Sequence, residues 1–250
     1  IFYVESDVDN GGQPWHRRCH TRLAAAEGYA LCLNFRSRQD AADQLLNELR
    51  SRGARAIVVE ADVAEESQVI RLFEALDAEF GRLDVLVNNA GRLERQTRLE
   101  DMDKARLERV FAVNVFGSFL CAREAVKRMS TRNGGTGGAI VNVSSIAAKL
   151  GAPNEYIDYA AAKGAIDSMT LGLAKEVAAE GVRVNAVRPG VIHTEIHASG
   201  GEPDRIERVR SSVPMGRGGE AKEVAEAILW LASDKASYTS GALLDVSGGR

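Results

Sequence analysis

The chain has 250 residues, 45% of them hydrophobic, and a formal net charge of −3. That length suits one α/β domain with a large core, and the slight acidity removes any global electrostatic case for a nucleic-acid partner. No apolar run approaches membrane-spanning length, and the three cysteines, Cys19, Cys32 and Cys121, suggest a reducing, cytoplasmic setting without a disulfide framework.

Residues 1–22 show no apolar strand and crowd Trp15, His16, Arg17, Arg18, Cys19 and His20 together. The spacing of His16, Cys19 and His20 completes no familiar ligand set, so no metal site is expected. From Leu23 onward apolar strands alternate with helices. Strands are predicted near 29–35, 55–60, 83–88, 138–144, 182–187 and 241–246, and helices near 38–52, 66–80, 103–130, 156–180 and 220–233. The alternation predicts a single-domain α/β fold over 1–250, a Rossmann-like, doubly wound parallel sheet with helices on both faces. Near-continuous Val/Ile/Leu runs fit strands covered on both sides. The Asn-Gly-Gly-Thr-Gly-Gly run at 133–138 reads as a flexible turn, not a phosphate cradle, because a strand follows it. Residues 193–217, with Gly200, Gly201, Pro203 and Pro214, read as a lid.

Chemistry collects at the predicted strand ends, where open α/β sheets bind ligands. Asn-Asn-Ala-Gly at 88–91 follows one strand, Ser144 and Ser145 follow another, and Arg-Pro-Gly at 188–190 turns the chain after a third. Each also has a plain reading as a turn or cap. Asn114 sits in an apolar helical stretch, as a satisfied core amide or part of a proton relay. Tyr159 and Lys163, in Tyr-Ala-Ala-Ala-Lys, leave one helix face. An ammonium beside a phenol favours the phenolate, so the pair reads as a tuned acid/base.

In this order and spacing the pieces resemble the short-chain dehydrogenase/reductase family across nearly the whole chain. Asp62-Val63, Ile192, Thr194 and the Ser-Gly-Ala-Leu-Leu-Asp-Val-Ser-Gly-Gly run at 240–249 belong to the same match. The resemblance implies Tyr159 as general acid/base and Lys163 as the group that lowers its pKa and holds the nicotinamide ribose. It implies Ser145 as the substrate-orienting hydroxyl, with Ser144 the alternative, and Asn114 as holder of a water leading to Lys163. Asp62 and Val63 would meet the adenine edge; Asn89, Ala90, Gly91, Pro189 and Gly190 would line the cofactor; Ile192 and Thr194 would meet the carboxamide. The reaction implied is hydride transfer between a nicotinamide and a small carbonyl or alcohol, in the manner of glucose dehydrogenases and oxoacyl carrier-protein reductases.

Arg36 and Arg38, where an acidic residue would bind a ribose 2′-hydroxyl, favour NADP over NAD. The family's opening glycine-rich turn is missing. Read one nucleotide later, however, the codons of residues 3–21 permit Met-Ser-Lys-Val-Met-Leu-Ile-Thr-Gly-Gly-Ser-Arg-Gly-Ile-Gly-Ala-Ala-Thr, with glycine forced where Trp15 meets His16. Residues 1 to about 21 are therefore expected to be a frameshifted nucleotide-binding start. If they are authentic, a non-catalytic cofactor- or protein-binding member is the alternative. A sugar-nucleotide epimerase or dehydratase shares Tyr-x-x-x-Lys but needs a larger C-terminal region. By family analogy the chain forms a homotetramer or dimer through the Tyr159 helix and the strand at 242–246.

Overall fold

The computed structural model describes residues 2–5, 15–193, 202 and 204–250. Among them, seven strands form one parallel sheet in the order β3-β2-β1-β4-β5-β6-β7. The strands are β1 Phe2–Glu5, β2 Leu31–Phe35, β3 Ala56–Glu60, β4 Val85–Asn88, β5 Gly138–Val143, β6 Val182–Pro189 and β7 Leu243–Val246. The helices are α1 Trp15–Ala26, α2 Gln39–Ser51, α3 Glu66–Phe80, α4 Lys104–Phe111, α5 Ser118–Met129, α6 Ala147–Leu150, α7 Ile157–Val177, α8 Arg205–Val209 and α9 Ala221–Ala232.

Apolar runs build this sheet because alternate side chains feed opposite layers. In β4, Leu86 joins Leu72, Phe73 and Leu76 of α3 and Met129 of α5, while Val85 and Val87 join Leu45 and Leu49 of α2 and Ile228 and Leu231 of α9. In β5, Ile140 and Val141 divide in the same way. The chain winds outward in both directions from β1, so a crevice opens at the carboxyl edge between β1 and β4.

Three features differ from the sequence reading. Residues 1–22 were expected to lack a strand, yet Phe2–Glu5 fills the central slot, Phe2 opposite both Leu31 and Val85. Phe-Tyr-Val suits extended backbone, and β2 and β4 would otherwise bury unpaired amides and carbonyls. The position of a glycine-rich turn after β1 falls among residues 6–14, outside the described residues.

The turn at 133–138 is a close-packed joint, not a flexible loop. A Cβ on Gly135 would lie 2.3 Å from the Arg128 carbonyl oxygen, and one on Gly137 (φ 83°) 2.6 Å from that of Gly181. Only glycine permits that approach.

Finally, the single helix expected over 103–130 is interrupted by a π-helical segment, Ala112–Gly117. Such segments widen a helix locally and recur at functional sites. Asn114 lies within this one.

Candidate active site

Helix α7 begins beside the carboxyl end of β5 and presents Tyr159 and Lys163 one turn apart. Both line a cleft of about 450 Å³ together with Ser144, Ser145, Asn89, Gly91, Pro189, Gly190 and Ile192. Lys163 Nζ donates to the Val143 carbonyl (2.8 Å) and stands 5.6 Å from the centre of the Tyr159 ring. Lys163 is buried (3% exposed), and β5 holds its ammonium in place from below.

The two serines divide their work. Ser144 Oγ donates to the Lys163 carbonyl (3.1 Å), tying α7 to the end of β5. Ser145 lines the cleft with Tyr159 and acts to lower the phenol's pKa, while its Oγ accepts from the Ala147 amide (3.1 Å). The hydroxyl that faces the phenol is therefore that of Ser145.

Lys163 was expected to lower the Tyr159 pKa. Instead, burial pushes the phenol up to about 12, against a smaller lowering by Ser145. Desolvation of the phenolate is the larger effect, and the Lys163 ammonium stands 5.6 Å from the ring centre, donating to Val143. As placed, Tyr159 keeps its proton at neutral pH.

Asn114 is fully buried behind Gly91. Its Nδ2 donates to the carbonyls of Val110 (2.8 Å) and Arg92 (2.9 Å), and its Oδ1 accepts from the Arg92 amide (3.2 Å). Both amide protons are used, so the side chain fixes the loop after β4. Gly91 is the hinge of this arrangement: a Cβ there would lie 3.2 Å from Asn114 Oδ1 and 3.7 Å from Lys163 Nζ.

The remaining expected residues lie elsewhere. Ala90 is part of the core. Arg36 and Asp62 meet at the carboxyl ends of β2 and β3, Nη1 to Oδ2 3.7 Å. Asp62 Oδ1 also accepts from the Ala64 amide (3.0 Å). Val63 is buried against Gly117, whose own Cβ would sit 2.8 Å from Val63 Cγ2. Thr194 lies outside the described residues, as do 195–201 and 203 of the expected lid.

Sequence reasoning missed the outer end of the cleft. Arg205 and Arg208 each pair with Glu155 (2.5 and 2.6 Å) and with Glu202. Arg205 also covers the Tyr156 ring, 5.0 Å from its centre, and Arg250 lines the same end. The contacts with Glu155 and Tyr156 join residues about fifty positions apart, and no local pattern announces them.

A family model described as enoyl-(acyl carrier protein) reductase matches residues 18–250. An uncharacterized oxidoreductase of Escherichia coli (strain K12), YgfF, is 53% identical over 96% of this chain and 97% of its own length. The chain belongs to the short-chain dehydrogenase/reductase family. The cis-4-hydroxycyclohexanecarboxylate dehydrogenase of Sinomonas cyclohexanicum is 41% identical over 91% of the chain and 89% of the relative. Glucose dehydrogenases and a 3-oxoacyl-[acyl-carrier-protein] reductase also match. A blue fluorescent protein from a metagenomic library, solved in complex with NADPH, superposes with a TM-score of 0.88 at 29% identity, covering 99% of this chain and 97% of that one. This short-chain dehydrogenase/reductase has no helix, among the described residues, that is long and apolar enough to cross a membrane.

Proposed function

We propose that the chain transfers hydride between NADP(H) and a small carbonyl or alcohol, with Tyr159 as general acid/base. The observation that carries this reading is that Tyr159, Ser145 and Lys163 line one cleft at the carboxyl edge of the sheet.

The residues fit a nicotinamide coenzyme. Gly91 and Gly190 both line the cleft, where their bare backbone would let a flat ring approach. Asn89, Pro189 and Ile192 would border the ring. Arg36, beside Asp62 at the edge of β2, would meet an adenosine 2′-phosphate with Val63 behind it. The NADPH held by the structural relative supports the same preference. The bound coenzyme supplies or takes up the hydride.

The chain's own groups handle the oxygen and its proton. Ser145 and Tyr159 donate to the substrate carbonyl oxygen, and Tyr159 releases its proton there as negative charge builds. The Lys163 ammonium, fixed on Val143, offsets the phenolate left behind. Asn114, through the Arg92 backbone, holds the loop after β4 and would hold the water that returns a proton to Lys163. Alcohol oxidation reverses these transfers.

On the same footing, exposed Leu171 on α7 supports pairing of copies through α7, with β7 as a second face. Light scattering that finds only monomers would contradict it.

The test of the function is coenzyme binding and turnover. Protein with a verified N-terminus is titrated with NADPH and NADH, then assayed on glucose, acetoacetyl thioesters and 4-oxocyclohexanecarboxylate, the ketone related to the Sinomonas relative's alcohol. Tighter NADPH binding that Arg36→Leu reduces about 10- to 100-fold supports the reading. No binding of either coenzyme would favour a non-catalytic member.

A further inference from the structure

The wall beside Tyr159 is apolar. Leu93, Ala152, Tyr156 and Ala160 form one buried cluster, and Tyr159 packs against it. Leu93, Ala152 and Tyr156 also line the cleft, together with Ile146, Leu150 and Pro153. Polar groups next to this wall are already engaged. Tyr156 Oη accepts from Arg205 (3.3 Å), Arg205 pairs with Glu155 and Glu202, and Ser212 Oγ donates to the Val209 carbonyl (2.7 Å). Ala152 also stands out in its backbone. Its φ is 46°, and it shares positive φ with only one other non-glycine residue among those described, Asn154 (62°). Asparagine tolerates that region, whereas alanine is strained in it. Hydrogen bonds on both sides hold the chain there. The Gly151 amide donates to the Ala147 carbonyl (2.8 Å), and the amides of Glu155 and Tyr156 donate to the Ala152 carbonyl (3.2 and 3.1 Å). Glycine would take this backbone freely. What alanine adds is one methyl, set in the cleft wall against Leu93 and Tyr156, and backbone strain of this kind collects at functional sites.

We propose that the substrate is a secondary alcohol or ketone whose reacting carbon sits in an apolar carbon frame, and that the Ala152 methyl is the specificity-determining contact that limits the width of that frame. The proposal rests on the oxidoreductase reading and deepens it. Tyr159 and Ser145 would hold the reacting oxygen, while an alkyl or carbocyclic face packs on Leu93 and Ala152. A polyol would instead press its other hydroxyls against this wall, each losing water without gaining a partner.

The experiment measures oxidation of cyclohexanol and myo-inositol with NADP, two alcohols that share a carbon ring and differ in their number of hydroxyls. Reduction of cyclohexanone and its 2-, 3- and 4-methyl derivatives with NADPH runs alongside. Wild type, Ala152→Gly and Ala152→Ser are compared, with melting temperature and NADPH affinity taken on each sample. The proposal expects kcat/KM for cyclohexanol to exceed that for myo-inositol by at least about 100-fold, the discrimination an apolar pocket exerts against a single added hydroxyl. Ala152→Gly should raise kcat/KM for at least one methyl ketone, relative to cyclohexanone, by about 10-fold or more, the worth of room for one carbon. Its melting temperature should hold or rise, because the strain is released. Ala152→Ser, close to alanine in size, should narrow the preference for cyclohexanol about 10-fold by offering a hydroxyl partner. A preference for myo-inositol, or ketone ratios unchanged in Ala152→Gly, would overturn the proposal while leaving the oxidoreductase reading intact. A fall of more than about 4 °C in the melting temperature of Ala152→Gly, with equal losses on every ketone, would mark the methyl as core packing and overturn it too. So would a protein that binds NADPH and turns over neither cyclohexanol nor cyclohexanone. Failure to bind NADPH at all would instead remove the reading on which the proposal stands.

Discussion

Replacing Arg106 by Met isolates the device that seats Tyr159. Arg106 and Asp158 form a buried ion pair, Nε to Oδ2 2.7 Å and Nη2 to Oδ1 3.3 Å, with side chains only 10% and 1% exposed. Asp158 Oδ1 also accepts from the Tyr159 amide (2.9 Å), and Arg106 Nη1 donates to the Arg95 carbonyl (2.7 Å). The pair thus joins α4, the loop after β4 and the first turn of α7. Arg106→Met leaves a carboxylate buried without its cation, a loss of about 3–5 kcal/mol. At roughly 2–4 °C per kcal/mol for a chain of this size, the melting temperature should fall by about 6–20 °C. Adding Asp158→Asn removes the stranded charge, so the double variant should regain most of the loss, since a buried pair replaced as a unit is often close to neutral. Urea unfolding at neutral pH reads Arg106→Met, Asp158→Asn alone and the double variant. A loss below about 1 kcal/mol in Arg106→Met, or a double variant as unstable as the sum of the singles, would refute the reasoning.

Other outcomes follow from the same contacts. Gly117→Ala drives a Cβ to 2.8 Å from Val63 Cγ2, so the π segment must shift; urea unfolding should show a loss of about 1–3 kcal/mol. The Glu94 carboxyl is held down to about 2 by its hydrogen bonds with Arg109 and then Arg92, against burial. Its stabilisation is complete above the ordinary carboxylate range and fades as pH falls toward 2. After screening at the half-exposed Arg109 it amounts to about 1 kcal/mol, and Glu94→Gln should lose that part of the acid sensitivity. Because the Tyr159 phenol is pushed up to about 12, it keeps its proton through the neutral range; carbonyl reduction should show no Tyr159 ionisation between about pH 6 and 9.

Much of this architecture was legible in the residues because burial on both faces writes continuous apolar runs. Leu31–Phe35 and Ala56–Glu60 fall within the expected spans, and α3 at Glu66–Phe80 coincides with its expected range. β1 was not legible: Phe-Tyr-Val-Glu is short, charged residues follow it, and its pairing partners are distant in sequence. The π segment was equally hidden, since Ala-Val-Asn-Val-Phe-Gly fits an α pattern and its close neighbours, Val63 and Gly91, are distant in sequence. Tyr159, Lys163 and Ser145 meet as a helix face and a strand end would place them, but the direction of the Tyr159 pKa depends on burial, which spacing does not encode. The family match begins at residue 18. We retain as a proposal that the preceding segment is read out of frame; intact mass and the coding DNA check it.

The central claim is that the Tyr159 hydroxyl moves the proton in this cleft. Single-turnover hydride transfer in Tyr159→Phe, with coenzyme affinity and melting temperature measured on the same sample, tests it most directly. The ring stays packed on Leu93, Ala152 and Tyr156, so folding and NADPH binding should persist while the rate falls about 10²- to 10⁴-fold. A variant that binds coenzyme and turns over at the wild-type rate would contradict the account.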